Sequence, residues 1–391
     1  MLSLVRIARI RNFRLNVVFP KVSLKLVGLF IVCAVVVYCE IFSFSVCCWQ
    51  WPKLSSASDE DELRVLFVAD PQLVGLRDEP RLLGAVTRWD CDKYLQFGFF
   101  HAVAHVRPHV VVFLGDLLDE GSIASDDEFV TYIRRFRRVF RMPTTVRSVF
   151  ASGDNDVGGE GSDSKLPWKL DRFAKHFQDY GARGNSSMGV ASVKHVSFQK
   201  ISFDFGERIS QSHVDALSDV RAHSTARYRI VCNHMPLLSR LPLEISRIIE
   251  ILQPHLIVTA HTHLFELYRC KDCRPHESSQ NADKIQSAWK GEAVSFNDLP
   301  RPMSVNLSDV LLLHELVIPT CSYRMGVPNM GYGAAVISRS GQMKFDILWL
   351  PSRYRQLKLY VIILSLIAVW LLMARLYRYA KIGYNMLIDM N

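Results

Sequence analysis

Carboxylates and imidazoles in this chain fall where apolar runs end. Val110 to Leu114 (VVVFL) breaks at Gly115 and delivers Asp116; Leu63 to Ala69 delivers Asp70, with Gln72 two residues on. Val146 to Ser152 leads into Gly153-Asp154-Asn155-Asp156, Tyr228 to Cys232 into Asn233-His234, and His255 to Ala260 into His261-Thr262-His263. One Asp after a strand says little, because Asp and Asn start turns and cap helices. Five such ends in order, two of them carrying imidazoles, read as a metal site, since carboxylates with imidazoles suit Zn, Fe or Mn. A bridging carboxylate at Asp116 would let two cations act on one phosphoryl group, the ions standing about 3.5–4 Å apart while an activated water attacks in line. Asp70, Gln72 and His263 would complete one shell, and Asp154, His234 and His261 the other.

Runs of this kind read as buried parallel strands, and in open α/β sheets the chemistry gathers just beyond their carboxyl ends. Cys91 to Arg107 is predicted to be a helix linking the first two strands in a βαβ crossover. Ser125-Asp126-Asp127-Glu128 makes a capping box for a helix to about Arg141, whose Phe129, Ile133, Phe136 and Phe140 recur at core spacing. Further helices are predicted over Trp168 to Tyr180 and Leu243 to Leu252, a strand or hairpin over Val193 to Phe205, and two closing strands near Ala334 to Ser338 and Met343 to Leu350. Lys271 to Asp309 turns polar and irregular. The turn-rich segment Pro319 to Gly333 is expected to fold over the rim of the site and offer Tyr323 and Arg324 to a phosphate. His101 and His105, four apart on the first helix, read as packing residues, because no acidic or Cys motif converges on them.

In order, these blocks resemble the calcineurin-like metallophosphoesterases, whose pattern runs D-x-H, G-D-x-x-D, G-N-H-D/E, a later H, and G-H-x-H. The chain departs from it at Gln72 (for His), Asp154-Asn155 (for Asn-His) and Ala260 (for Gly). The resemblance implies a sandwich of β-sheets flanked by helices, with residues 63–350 as the phosphoesterase domain. It implies a catalytic site built on Asp116, Asn155 and His234, with metal ligands Asp70, Gln72, Asp116, Asp154, His234, His261 and His263. The family's third-block His assists the leaving group, a role that Asn155 cannot fill as an acid. Gln72 is a neutral oxygen ligand in place of a histidine and favours a harder ion such as Mn over Zn, with two divalent ions, Mn first and Zn or Fe as alternatives, as the expected cofactors. Asp119 and Asp156 would orient the ligands.

Within that superfamily, Asp154 to Glu160, Asn-His-Met-Pro, Ala-His-Thr-His and Pro-Thr-Cys-Ser-Tyr-Arg are similar to the metallophosphoesterase 1 family. That likeness implies hydrolysis of ethanolamine phosphate from a mannose of GPI anchors, with GPI-anchored proteins or glycolipid as substrate, cargo receptors of ER exit as partners, and residence in the ER, the ER–Golgi intermediate compartment or the Golgi. Two other readings remain open: a luminal phosphodiesterase or phosphatase for a nucleotide or lipid, and a metal-binding membrane scaffold without catalysis.

Val22 to Cys48 and Leu359 to Ala374 are largely apolar, and a membrane span takes about 20 residues. Residues 26–48 and 357–377 are therefore expected to span, flanking the phosphoesterase domain. The first begins too far from Met1 and runs too long for a cleaved signal peptide. The net charge of +9 concentrates outside the central domain: residues 1–25 carry six bases and no acid, and residues 353–391 carry six bases against Asp389. Removing those leaves 35 Lys and Arg against 37 Asp and Glu, so nucleic-acid binding loses its support. Bases before the first span place 1–25 and 378–391 in the cytosol and the domain in the lumen. Sequons at Asn185 and Asn306 agree with that placement. An oxidising lumen would also permit a small Cys270–Cys273 loop.

Overall fold

The computed structural model describes residues 24–55, 61–80, 82–178, 183–184, 187–204, 207–239, 243–271, 273, 292–295 and 300–389. The basic residues before Leu24, the Asn185 sequon and most of the polar stretch after Lys271 lie outside them. The chain divides into two units, residues 41–356 and residues 1–40 with 357–391.

In the larger unit, helix α2 (Ser43–Trp49) precedes β1 (Leu63–Val68), α3 (Gly84–Val106), β2 (Val110–Leu114), α4 (Asp126–Val139) and β3 (Arg147–Ala151). There follow α5 (Asp154–Val157), α6 (Pro167–His176), β4 (Arg183–Gly184), β5 (Gly189–Val193), β6 (Val196–Lys200), α7 (Gln211–His223) and β7 (Tyr228–Cys232). Then come α8 (Leu243–Leu252), β8 (Leu256–Thr259), β9 (Glu266–Lys271), β10 (Glu292–Val294), β11 (Met303–Asn306), β12 (Leu312–Val317), β13 (Gly331–Ile337) and β14 (Gln342–Trp349).

The strands form two sheets. One runs β11-β14-β13-β1-β2-β3 and the other β10-β9-β12-β8-β7-β6-β5-β4. The five strands that carry the candidate residues run parallel to one another within each sheet, β1 to β2 to β3 and β7 to β8, while β13 pairs antiparallel with β1 on its other side. Period-2 alternation sorts their side chains. Leu63, Val65, Phe67, Val110, Val112 and Leu114 of the first sheet share one core with Tyr228, Ile230, Leu256 and Val258 of the second. On the far face of the first sheet, Leu66, Val68, Val111 and Phe113 pack against Leu95 and Phe99 of α3 and Phe129, Ile133 and Phe136 of α4. Val231 and Ile257 turn to Leu217 of α7 and Ile248 and Ile249 of α8. The result is two sheets face to face with helices outside.

The Ser125 capping box forms as its sequence requires, with Ser125 accepting from the Glu128 backbone and Glu128 reaching back to the Ser125 N–H. Helix α3 begins seven residues before the predicted Cys91, and α6 stops at His176. The strand expected over Val193 to Phe205 is β6, which ends at Lys200 and forms a hairpin with β5 before it, antiparallel through Val193 and Val196; Phe205 lies outside the described residues. Cys270 and Cys273 form a disulfide.

In the smaller unit, α1 (Leu24–Val37) runs into a π-helical turn at Tyr38, and the last helix, α9, spans Arg353–Asp389. Leu26–Trp49 and Arg353–Ile382 are long and apolar enough to cross a membrane. The apolar stretch is interrupted by Glu40, whose Oε1 accepts a 2.6 Å hydrogen bond from Tyr360 of α9.

Candidate active site

Sharp turns at the strand ends place the site. Asp70 (φ 45°), Gln72 (φ 37°), Asp116 (φ 51°), His261 (φ 70°) and His263 (φ 64°) all lie in the left-handed region, which non-glycine residues rarely occupy. Such backbone costs about 1–3 kcal/mol per residue and persists only where surrounding bonds enforce it. Here the bonds are explicit. The Gln72 and Leu73 N–H groups donate to the Asp116 and Leu117 carbonyls at 2.9 and 3.1 Å, zipping the first two turns together. Thr320 Oγ1 donates to the Asp70 carbonyl at 2.7 Å, and the Ala260 N–H to the His234 carbonyl at 2.9 Å. Asp156 accepts from the N–H groups of Leu117, Leu118 and Gly153 at 3.0–3.1 Å, bracing the turn after Asp116 as an orienting residue should.

His234 stands at the centre. Its Nδ1–H donates to the Leu114 carbonyl at 2.9 Å, which aims Nε2 at the carboxylates. That Nε2 lies 3.1 Å from Asp154 Oδ1, 3.5 Å from Asp116 Oδ1 and 3.9 Å from Asp70 Oδ1. His261 Nδ1 is 3.4 Å from Asp154 Oδ1 and 3.3 Å from His234 Nε2. His263 Nε2 is 3.9 Å from Asp70 Oδ1. Ligand atoms of Asp154, His234 and His261 lie within 4.8 Å of one another, as do those of Asp70, Asp116 and His234.

Burial decides the electrostatics. It pushes Asp70 up to about 7 against the pull of His234, and it raises Asp116 as well. Burial would also raise Asp154, but the imidazoles of His234 and His261 hold it well below the carboxylate range. For His234, burial favours the neutral ring, yet Asp116, Asp154 and Asp70 together raise it well above the usual imidazole value. Three buried carboxylates thus crowd around the imidazoles of His234 and His261, an arrangement whose cost in free energy a bound cation would relieve.

Both oxygens of Asp70, and Oδ1 of Asp154, are buried without an aligned hydrogen bond. Native proteins rarely leave such atoms unsatisfied. Orphaned carboxylate oxygens facing two imidazoles are a donor set that fits divalent metal ions.

Gln72 and Asn155 both reach Asp116. The Gln72 amide nitrogen donates to Asp116 Oδ2 at 3.0 Å and lies 3.3 Å from His263 Nε2, so the amide stands between two of the expected metal ligands. Asn155 donates its backbone and side-chain N–H groups to Asp116. The rim expectation fails for Tyr323: its ring is buried, and its hydroxyl donates to Asp90 at 2.8 Å and accepts from the Cys91 thiol. Arg324 pairs with Glu79. The segment's apolar side chains are drawn into the core beneath α3, so it turns inward instead of folding over the site. His101 and His105 serve packing, His101 stacking on Phe44 and His105 bonding to the Pro52 carbonyl at 3.0 Å.

Two acids escaped the sequence reading. Glu160 lies with its carboxyl against Asp154, which raises its proton affinity. Gly158, Gly159 and Gly161, all at positive φ, let the chain turn back there, and that glycine run was the available signal. Glu315 of β12 is fully buried and accepts from the Leu237 and Leu238 N–H groups and Thr259 Oγ1, tying the His234 turn to the strand before His261.

Residues 63–265 match the family model described as calcineurin-like phosphoesterase, over half of the chain. This chain belongs to the calcineurin-like phosphoesterases. The phosphoesterase is 29% identical over 167 residues to metallophosphoesterase 1 of Danio rerio, covering 42% of this chain and 41% of that protein. It is 28% identical over 172 residues to the metallophosphoesterase 1 homolog of Drosophila melanogaster, covering 43% of each. The match thus spans less than half the length of these relatives. A purple acid phosphatase from yellow lupin (Lupinus luteus) aligns over 76% of this chain and 52% of its own at 11% identity and a TM-score of 0.46. The phosphoesterase is a metal-dependent enzyme of its family.

Proposed function

We propose that this phosphoesterase is a membrane-bound phosphodiesterase that removes ethanolamine phosphate from a mannose of GPI anchors, remodelling GPI-anchored proteins for transport from ER to Golgi. The observation that carries the hydrolytic reading is the group of orphaned buried oxygens on Asp70 and Asp154 around His234. The substrate reading is supported by the likeness to metallophosphoesterase 1 and by two helices apolar enough to hold the protein in the bilayer of a lipid-anchored substrate.

Asp70, Asp116, Asp154, His234, His261 and His263 are the residues that would hold two divalent ions, manganese in the first instance, with the Gln72 amide beside them. Such ions supply Lewis acidity at the phosphoryl oxygens and a nucleophilic water at neutral pH. Asn155 and Gln72 hold both oxygens of Asp116 in place, so the carboxylate would be preset for a cation. Asn155 is an orienting donor and carries no proton to the leaving group. The domain faces the lumen of the ER, the intermediate compartment or the Golgi, and cargo receptors of ER exit are the expected partners.

The decisive experiment compares GPI glycans on cells lacking this protein with cells given back wild type or Asp116→Asn. Ethanolamine phosphate retained in the deficient cells, and removed by wild type but not by the variant, supports the assignment. Unchanged glycans refute the GPI substrate and leave a phosphoesterase for another diester.

A further inference from the structure

Helix α3 is apolar on two opposite faces. Cys91, Leu95, Phe99, Ala102 and Val106, at intervals of three and four, are buried against the first sheet. On the other side Val86, Trp89, Lys93, Phe97 and Phe100 recur at the same intervals; Val86, Trp89 and Phe100 face outward, and Lys93 and Phe97 are half-buried between them. Val86 is 60% exposed, Trp89 61% and Phe100 67%. The turn leading into the helix adds Leu82 at 94% and Leu83 at 62%. A surface helix ordinarily carries polar residues on its outer face, and a contiguous apolar stripe marks a binding surface.

What covers the stripe is indicated by its neighbour. Helix α2 is the end of the apolar stretch Leu26–Trp49, and it lies along α3, with Phe44 against Tyr94 and Phe97 at ring-centroid distances of 5.4 and 5.9 Å. Phe97 therefore joins the α3 stripe to α2, whose Trp49 is itself 82% exposed. The stripe contains no acid. Its one charge, Lys93, lies over the Trp89 ring with Nζ 5.2 Å from the centroid. Exposed Trp beside a Lys that keeps its ammonium at the edge of apolar surface is the composition of a membrane–water boundary.

We propose that the outward face of α3, with Leu82 and Leu83, lies in the headgroup boundary of the phospholipid bilayer entered by the apolar stretch that ends at Trp49. The inference rests on the membrane-bound reading above.

The test uses the full chain in phosphatidylcholine nanodiscs with brominated acyl chains, in a background lacking Cys33, Cys47 and Cys48. An environment-sensitive dye is attached in turn at Val86→Cys, at Leu364→Cys within the second apolar helix, and at Lys344→Cys, an exposed position of β14. Quenching by brominated chains at Val86 and Leu364, with at least a threefold smaller effect at Lys344, is expected. Quenching at Leu364 with none at Val86 overturns the proposal alone. A Val86 dye shielded from aqueous iodide but not quenched by brominated lipid is covered by protein, a second copy or a partner, and that too overturns it. No quenching at Leu364 removes the membrane-bound reading, and the proposal with it.

Discussion

Asn155 holds Asp116 at both ends: its backbone N–H donates to Oδ1 at 3.0 Å and its side-chain amide to Oδ2 at 2.9 Å. The position at which the family motif places an imidazole is here a fixed clamp on the central carboxylate. Asn155→Ala is expected to lower turnover of bis(p-nitrophenyl) phosphate by about 10- to 100-fold, the usual cost of losing a partner of a metal ligand. Asn155→Asp, which sets carboxylate against carboxylate, should cost more. An alanine variant with wild-type rates would show the clamp to be dispensable.

Metal removal should be felt in stability as well as rate. Dialysis against a chelator is expected to abolish diester hydrolysis and lower the melting temperature. Restoring a divalent ion at about 100 times its dissociation constant should return about 2.7 kcal/mol. Gln72→His, which supplies an imidazole next to His263 and Asp116, is expected to raise the affinity for zinc relative to that for manganese. Titration of the chelated protein with each ion, read by calorimetry, distinguishes the two preferences.

Glycines set the spacing of the site. A Cβ on Gly153 would stand 2.2 Å from Asp116 Oδ1, and one on Gly115, at φ 96°, 2.6 Å from His234 Nδ1. Gly153→Ala should therefore displace Asp116 and reduce activity at least 100-fold, and Gly115→Ala should do the same through His234. Metal stoichiometry measured on the purified variants should fall in parallel.

How far the sequence reached can be seen from these residues. The strand ends were legible because β-branched runs stopping at Asp, Asn or His are a local pattern, and the α4 capping box was legible for the same reason. Glu120 was not. It accepts from the N–H groups of Leu76, Arg77 and Asp78 and from the Tyr132 hydroxyl at 2.8–3.0 Å, holding the loop after Gln72. Nothing near Glu120 in sequence announces partners more than 40 residues away. Tyr323 misled in the opposite way, since a turn-rich segment gives no sign of which side chains it turns inward. Strand β12 was missed because its His314 and Glu315 interrupt the apolar run, and both are buried.

Glu120→Ala leaves those donors without their carboxylate and is expected to cost about 3 kcal/mol, from the worth of hydrogen bonds to a charged acceptor. Urea unfolding monitored by tryptophan fluorescence measures it. A loss below about 0.5 kcal/mol would mean that water replaces the carboxylate at no cost.

Glu315 gives stability a dependence on pH. Burial pushes its carboxyl from 4.5 up to about 7, against the hydrogen bonds of Leu237, Leu238 and Thr259. Between those values the folded protein keeps a proton that the unfolded chain releases. The contribution of Glu315 is thus fully present below pH 4.5 and is lost as pH rises through about 7. The shift corresponds to about 3 kcal/mol at most. Wild type should therefore lose melting temperature relative to Glu315→Gln as pH is raised from 5 to 8. A difference that stays constant over that range would show that Glu315 does not titrate there.

The carboxylates of the site all come from the first sheet, at the ends of β1, β2 and β3, and the imidazoles all come from the second, after β7 and β8. Neither sheet alone offers a cation a mixed set of ligands. Tight metal uptake would therefore wait until the two sheets have docked, and ions held there would rivet the two together. Occupancy of the site would then be a certificate of completed folding, issued before any substrate arrives.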